Sequence, residues 1–332
     1  MKRSSEDRSS LSALSRTPFD SLPVTLRRFC LRSETRSLVD AAQQNCRKIM
    51  ERYEEKHPEG GGRVSVSRLC DLLGIHLKKP KTLKRTSGWY SNLATSKRKE
   101  RAAGFFSVSQ NVVTITVPPG SSWNVARLTV AHEIGHWMLH RTDDGIDHVT
   151  LSLPETEEEE CIAEYCGRML LMHRAFCGDM GNLAATCLRE ASRLVVTLHA
   201  SASRLMDPDK IQVAVRGIVL WRLHPQMPAT VSVGERLTPQ WHICPGGFIP
   251  IFRCHARHDS LIVRIASVGD DAVADSAIEQ VEIGSLSGVF HVDAFSWGSI
   301  ARGTRLVLSV FCDHVGAPKV SALEAGCGPD TP

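Results

Sequence analysis

The sequence predicts an α+β protein in which a helical half precedes a β-rich half. Between residues 34 and 208, apolar residues recur at helical spacing, and the motif His-Glu-Ile-Gly-His at 132–136 lies within one such segment. From residue 211 onward, Gly and Pro separate short β-branched runs that are typical of strands, at 213–221, 248–252, 261–266, 277–283 and 306–311. We therefore expect domains over 34–208 and 211–332. The Ser/Arg-rich residues 1–33 are expected to form a disordered tail.

Composition limits the class of protein. The chain has 332 residues, of which 42% are hydrophobic and 23% are charged, so it can bury a full core and has room for two domains. It contains no apolar run near the roughly 18 residues that a membrane helix needs, and its polar N-terminus lacks the apolar segment of a secretion signal. Its scattered cysteines fit reduced thiols better than a disulfide framework. We expect a cytoplasmic protein without a membrane partner.

The HExxH motif predicts a zinc site. Residues 121–131 indicate a Ser-capped helix that continues through the motif, so His132 and His136 are expected to lie one turn apart on one face. Both imidazoles can then bind one Zn²⁺, and Glu133 stands beside them as the candidate general base. The chemistry that needs these residue types at this spacing is metal-assisted hydrolysis.

A strand is expected just before this helix. Residues 112–117 are rich in β-branched side chains and are followed by Pro118-Pro119-Gly120, which ends the run. Such a strand can be the edge to which an extended substrate adds by main-chain hydrogen bonds, or it can be a core strand of the sheet. The sequence leaves both interpretations open.

The third zinc ligand is expected on the next helix. Thr156 and Glu159 form a predicted capping box, which accounts for most of the acidic run at 155–160. Glu160 differs from its neighbours because Ala163 and Gly167 share its helix face and are small enough to let another helix approach. We predict Glu160 as the third ligand. Glu164 is the next candidate, or else an acceptor that orients one histidine.

Three pieces of the chain resemble the ImmA/IrrE family of metallopeptidases. They are residues 64–75 (VSVSRLCDLLGI), 127–140 (RLTVAHEIGHWMLH) and 160–173 (ECIAEYCGRMLLMH), and the resemblance extends over about residues 37 to 205, roughly half the chain. The second piece is similar to the family's Ala-His-Glu-x-Gly-His core. The third is similar to its Glu-x-x-Ala-Asn-x-Phe-Ala-x-x-Leu-Leu-Met-Pro segment.

The resemblance implies a zincin-like peptidase domain in which His132, His136 and Glu160 bind zinc and Glu133 is the base. It also implies an endopeptidase that cuts a regulatory protein, such as a transcriptional repressor or an antitoxin-like regulator, in a stress response. The sequence departs from the family where Glu164 replaces Asn, Cys166 replaces Phe and His173 replaces Pro. None of these departures removes a ligand or the base.

Other polar residues near the motif are candidates for stabilising a developing oxyanion. They are His140, His148, Tyr165 and Arg168, which lie close to the zinc ligands in sequence. His140 follows His136 by one turn and can share its face. It can equally serve the C-terminus of the helix, where a donor suits the free carbonyls.

The alternative function is a non-catalytic regulator, either a transcription factor or a partner-binding module on the same scaffold. Residues 183–199 and 201–205 are similar to a helix-turn-helix, and residues 78–101 carry nine Lys or Arg with one Glu around Trp89 and Tyr90. Nucleic acid is thus a possible partner, but a net charge of only +4 makes it the less favoured one. Retention of Glu133 favours the enzyme, because a binding module has no use for a base beside the zinc.

Overall fold

The computed structural model has an α+β fold, with most helices in the first part of the chain and the longer strands in the second. The structure describes residues 14–58, 62–78, 105–109, 112–117, 122–176, 181–207, 209, 215–224, 231–244, 260–269, 271–283, 286–300, 302 and 304–313. Within these ranges, no helix combines the length and the apolar character needed to cross a membrane.

Helices dominate the first part of the described chain. They are α1 (Val24–Arg32), α2 (Leu38–Lys56), α3 (Val66–Leu73), α4 (Trp123–His140), α5 (His148–Leu151), α6 (Glu157–Leu171), α7 (Leu183–Leu194) and α8 (Leu198–Leu205). Hydroxyl or amide side chains begin most of these helices by accepting a backbone N–H in the first turn. The predicted capping box between Thr156 and Glu159 is present at the start of α6.

A three-stranded sheet lies beside α4. Its strands are β1 (His76–Lys78), β2 (Phe105–Ser109) and β3 (Val112–Thr116), in the order β1-β3-β2. Strand β3 pairs in parallel with β1 and antiparallel with β2, and its Val113 and Ile115 are buried. Of the two interpretations of residues 112–117, the core strand is correct. Among the described strands, β2 lies at the edge of this sheet on the side away from β1.

The second part of the described chain is built on a five-stranded antiparallel sheet. Its strands are β6 (Val215–Leu223), β7 (Leu237–Ile243), β8 (Val273–Ile283), β9 (Leu286–Trp297) and β10 (Leu306–Asp313), in the order β7-β6-β10-β9-β8. The short helices α9 (Val233–Arg236) and α10 (Leu261–Ser267) lie between strands in sequence. A short hairpin, β4 (Arg141–Thr142) and β5 (Gly145–Ile146), follows α4 in the first part.

The large sheet contributes to two hydrophobic cores. One face, with Ile218 and Leu308, joins the same cluster as the buried residues of the helices. The opposite face, with Val219 and Val307, packs with α10 in a second cluster. At the start of α7, the backbone N–H of Leu183 donates to a carboxylate oxygen of Asp293 on β9 at 2.8 Å. The helical and β-rich halves therefore share one core across the boundary near residue 210.

The expected disordered tail over residues 1–33 is wrong for residues 14–33. Helix α1 buries Leu26 and Phe29, and Cys30 beside them is also buried. These apolar residues stand three and four positions apart, so one face of a short helix can enter the core even though its neighbours are arginines. Residues 1–13 lie outside the described part of the chain.

One predicted strand is a helix. The apolar run at 261–266 forms α10, which begins with Ser260 accepting the backbone N–H of Val263. A short run that is apolar throughout fits a buried helix as well as a buried strand, so periodicity could not separate the two. The capping serine was the available signal. The strand predicted at 248–252 lies outside the described residues.

The segment compared to a helix-turn-helix consists of two short helices. Helix α7 ends where Val195 adopts a left-handed conformation with φ of 56°, and α8 begins at Leu198 rather than continuing the same helix. Six of the eight residues of α8 are buried, which leaves it no broad exposed face.

Candidate metal centre

Helix α4 supplies four of the candidate site residues. It begins at Trp123, with the Ser122 hydroxyl accepting the backbone N–H of Val125. Most of its residues are buried, and apolar side chains surround the helix on several sides, as expected of a helix that passes through a core. The motif occupies the second half of this helix, so the backbone that carries the two histidines is held by packing on both sides.

Two glycines bring α4 and α6 unusually close together. A Cβ atom added at Gly135 would lie 2.4 Å from the carbonyl oxygen of Ala163, and one added at Gly167 would lie 2.9 Å from the backbone nitrogen of His132. Real Cβ atoms do not come so near to backbone atoms, so no larger residue fits at either glycine without a shift of the helices. The predicted close approach at Ala163 and Gly167 is thus present. Gly135 is a further contributor that the sequence argument did not use.

This close approach brings three metal-binding side chains together. The Nε2 atoms of His132 and His136 are 3.0 Å apart. A Glu160 carboxylate oxygen lies 3.3 Å from His132 Nε2, and the other lies 3.8 Å from His136 Nε2. One ligand atom from each of the three residues lies within 4.8 Å of the others, and no second group of this kind occurs among the described residues.

The donor set and its spacing fit a tetrahedral zinc ion. Zinc bonds of about 2.0–2.1 Å place neighbouring ligand atoms roughly 3.3 Å apart, and the separations of 3.0 Å between the two Nε2 atoms and 3.3 Å between His132 Nε2 and one Glu160 oxygen are close to that value. Three protein ligands also leave the fourth position open, as in catalytic rather than structural zinc sites. His132, His136 and Glu160 are therefore able to hold the metal that the sequence predicts.

Glu133 lies beside this group in a buried position. Its side chain is close enough for the charges of His132, His136 and Glu160 to affect it, and its carboxylate accepts a hydrogen bond from the backbone of Phe106 on β2. Burial is the largest influence and raises the pKa of Glu133 above its usual value, because the charged form loses solvation. A raised pKa suits a carboxylate that takes up and releases a proton near neutral pH.

Glu155 makes a contact that the sequence analysis missed. Its Oε1 atom lies 2.8 Å from Nδ1 of His136, on the side of the imidazole away from Nε2. Burial lowers the pKa of His136, but the hydrogen bond and charge of Glu155, together with Glu160 and Glu133, raise it overall in the absence of a metal. A signal was present in the sequence. Glu155 precedes the N-cap Thr156, so neither the capping box nor a place in the first helical turn explained it.

His140 lies in a buried network. Its Nδ1 is 3.0 Å from the hydroxyl of Thr150, and its ring stacks against Phe106 at a centroid distance of 6.0 Å. Burial, with smaller effects from nearby His136 and Arg32, lowers the pKa of His140 to about 4. His140 is therefore neutral at pH 7. Neither contact is with a carbonyl at the end of α4 or with a predicted metal ligand, so these contacts support neither of its two proposed places.

The remaining predicted residues of α6 contact groups other than the histidines. Glu164 pairs with Arg168 at 3.3 Å and not with a histidine, so Glu155, not Glu164, supplies the acceptor that was expected. Arg168 also donates to Asp207 at 2.7 Å. The hydroxyl of Tyr165 is buried and contacts Gln43 and Asp209, each at 3.2 Å. Tyr165 and Arg168 are thus occupied in structural contacts, which does not support their proposed role in stabilising an oxyanion.

Comparisons with known proteins add little to this geometry. No protein-family model matches the chain, and no curated protein matches it. Among solved structures, a Mycobacterium tuberculosis transcriptional regulator is similar with 13% sequence identity, over 90% of this chain and 82% of that chain, at a TM-score of 0.41. A likeness this distant carries no conclusion about function.

Proposed function

We propose that the chain is a zinc-dependent endopeptidase with a zincin-like peptidase domain, and that it cuts a regulatory protein. The observation that carries the proposal is the convergence of His132 Nε2, His136 Nε2 and the Glu160 carboxylate, with buried Glu133 beside them. The choice of a repressor or antitoxin-like regulator as substrate rests on the resemblance of residues 127–140 and 160–173 to the ImmA/IrrE family.

The chemistry would be divided between the metal and Glu133. Zinc held by the two histidines and Glu160 would polarise the scissile carbonyl and lower the pKa of the attacking water to about 7. Glu133 would accept a proton from that water and then donate it to the leaving amine nitrogen. Its buried position supports this role, since a raised pKa makes the carboxylate a stronger base for the first transfer.

The position of strand β2 is consistent with a substrate that binds as an extended peptide. It forms one edge of the small sheet, and the backbone of its Phe106 reaches the Glu133 carboxylate. A peptide that paired with the outer edge of β2 by main-chain hydrogen bonds would pass beside Glu133. This mode of binding needs a cleavage site in an exposed loop or strand of the substrate, because a helix or a packed strand cannot offer its backbone.

The regulator alternative has less support. A helix that reads DNA presents several side chains to the major groove, whereas most of α8 is buried. Of the basic segment at 78–101, only Lys78 belongs to the described residues, so no contact of that segment supports or opposes nucleic acid.

Zinc content tests the first half of the proposal. We would measure zinc per chain in the purified full-length protein, in Glu160→Ala and in Glu133→Gln, with Glu164→Ala as a matched control one turn along the same helix. We expect one zinc per chain in wild type, Glu133→Gln and Glu164→Ala, and a large loss in Glu160→Ala. Absence of zinc in the wild type would contradict the proposal, and full retention in Glu160→Ala would assign the third ligand elsewhere.

Cleavage tests the second half. Glu133→Gln keeps the ligands but loses the base, so we expect it to retain bound substrate while hydrolysis slows by about 10²–10⁴-fold. Partners captured by Glu133→Gln would be incubated with zinc-loaded wild type, and the new N-termini would be sequenced. If captured partners remain intact with wild type, or if Glu133→Gln cleaves as fast as wild type, the endopeptidase assignment fails.

A further inference from the structure

We propose that Glu155 is a positioning residue that holds the His136 imidazole with Nε2 directed at the metal. The inference rests on the proposed zinc site and extends it to a residue outside the HExxH motif. Glu155 stands 19 positions after His136 in sequence, and the fold alone brings its carboxylate to Nδ1 of that ring at 2.8 Å.

The contact assigns the two nitrogens of His136 to different tasks. A carboxylate at Nδ1 accepts a hydrogen bond, which places the proton of the neutral ring on Nδ1 and leaves the lone pair of Nε2 free. Nε2 is the atom that lies 3.0 Å from His132 Nε2 and 3.8 Å from the Glu160 carboxylate. The hydrogen bond thus selects the tautomer that can bind the metal, and the charge of Glu155 makes Nε2 a better donor.

Glu155 does not act as a fourth ligand in this geometry. Its contact is with the nitrogen on the far side of the His136 ring from the metal-binding atoms. Glu155 would have to leave that hydrogen bond to reach the metal. The three-ligand site with an open position is therefore preserved, which is what a hydrolytic site needs.

The loop before Glu155 is fastened at its start by Asp147. The backbone N–H of Asp147 donates to the His140 carbonyl at 2.7 Å, which fixes the loop to the end of α4. The carboxylate of Asp147 accepts the backbone N–H groups of Val149 and Thr150, and it receives a hydrogen bond from Arg28 of α1 at 2.7 Å. These bonds hold the short helix α5 in place beside the metal helix.

The residues directly before and after Glu155 also restrict its backbone. Thr156 follows it directly and forms the capping box that begins α6. Pro154 precedes it and restricts the backbone further. Although the Glu155 side chain is 52% exposed, its backbone is held from both directions. Little conformational entropy is then lost when its carboxylate meets His136.

Zinc affinity of the full-length protein measures this role. We would titrate zinc against a chromophoric chelator for wild type, Glu155→Ala, Glu155→Gln and the control Glu157→Gln. Glu157 is exposed in the first turn of α6, so its replacement removes one negative charge from the same segment without touching His136. We expect Glu155→Ala to weaken zinc binding by about 10- to 100-fold, and Glu157→Gln by less than about 2-fold.

The glutamine variant separates orientation from charge. Its amide oxygen can still accept the Nδ1 proton, so we expect Glu155→Gln to recover part of the affinity lost in Glu155→Ala. Cobalt-substituted protein gives a second readout, because its visible ligand-field bands respond to the position of the imidazole. We expect these bands to change in Glu155→Ala and to stay near those of wild type in Glu157→Gln.

The outcomes distinguish this inference from the proposed function. If wild type binds one zinc and Glu155→Ala matches Glu157→Gln in affinity and cobalt spectrum, the role of Glu155 is refuted while the zinc site stands. If Glu155→Ala and Glu155→Gln lose the same large amount, charge rather than orientation is responsible, and the positioning role is again refuted. If wild type binds no zinc, both proposals fail together.

Discussion

A buried arginine in the β-rich half and the candidate metal centre in the helical half arrange their polar groups in different ways. In the β-rich half, the two terminal nitrogens of fully buried Arg305 donate to four backbone carbonyls and the Ser296 hydroxyl. In the helical half, His132, His136 and Glu160 direct acceptor atoms at one another. Arg305 acts as a structural link between elements, whereas His132, His136 and Glu160 form a group that could hold a metal ion.

Burial alone therefore does not identify a functional group. Arg127 in the helical half is as buried as Arg305, and it too donates to backbone carbonyls, at Val64 and Val195. What sets the candidate metal centre apart is that its neighbouring atoms are all lone-pair donors to a metal. The comparison predicts that damage to the two halves has separable effects on stability and on zinc binding.

Replacement of Arg305 has the largest expected effect on stability. Arg305→Met would leave several buried acceptors without a donor, and we expect the free energy of unfolding to fall by about 3 kcal/mol. Its contacts reach Ile265, Val268 and Asp271 near the α10 side of the large sheet, so the zinc stoichiometry of the folded fraction should stay at the wild-type value. Chemical denaturation with parallel zinc analysis measures both quantities. Loss of zinc from folded Arg305→Met would contradict the separation of the two halves.

Gly135→Ala is expected to affect both quantities. Alanine favours a helix by about 1 kcal/mol over glycine, but its Cβ would meet the Ala163 backbone and force α4 and α6 apart. We expect a net loss of about 2 kcal/mol in unfolding free energy. We also expect weaker zinc binding, because the shift moves Glu160 away from the histidines.

Gly269→Ala is the matched control for this substitution. A Cβ at Gly269 meets nothing within 4 Å, so both its unfolding free energy and its zinc affinity should stay near wild type. If Gly135→Ala retained wild-type zinc affinity, the close helix contact would not be what places Glu160.

The lowered pKa of His140 predicts how the stability of the protein depends on pH. The pKa of His140 is lowered to about 4 in the folded protein, and the unfolded chain has the usual value near 6.5. Between these values the unfolded state binds more protons, so stability falls as pH falls. We expect this one group to cost about 2 kcal/mol between pH 7 and pH 5.

Zinc-free wild type and His140→Gln, compared by denaturation at both pH values, isolate this contribution. The loss on acidification should be about 2 kcal/mol smaller in His140→Gln. The raised pKa of His136 acts with the opposite sign, but it is present in both proteins and largely cancels in the difference. Equal losses in the two proteins would show that His140 is not held neutral by its buried surroundings.

Features that depend on local sequence patterns were predictable, whereas contacts that depend on the path of the chain were not. The HExxH spacing and the Thr156 capping box are local patterns, so they could be predicted with the elements that contain them. Glu160 was nominated from the small residues on its face, and the structure places it within reach of both histidines. Glu155 was missed even though the capping box left it unexplained, because the residue that its carboxylate meets depends on the path of the intervening loop.

The errors have equally specific causes. Residues 14–33 were assigned to a tail because arginine and serine dominate the composition, while three apolar residues on one helical face were enough to anchor α1. Residues 261–266 were assigned to a strand because an apolar run has no period to read. Tyr165 and Arg168 were nominated by closeness in sequence, but they contact Asp209 and Asp207 instead. The face of the helix on which a side chain lies decides which residues it contacts, and distance along the sequence does not give that face.

The smallest expected effect concerns the charged contact between α1 and the loop before Glu155. Arg28 pairs with Asp147 at 2.7 Å, but its side chain is 45% exposed, and exposed pairs contribute only about 0.2–1 kcal/mol. We expect Arg28→Met to lower the unfolding free energy by about 0.5 kcal/mol, because buried Leu26 and Phe29 still anchor α1. Zinc affinity should change by less than about 2-fold, since Asp147 keeps its bonds to Val149 and Thr150. A loss above about 2 kcal/mol would mean that the N-terminal helix is held mainly by charge, and that the helical half depends on its surface as much as on its core.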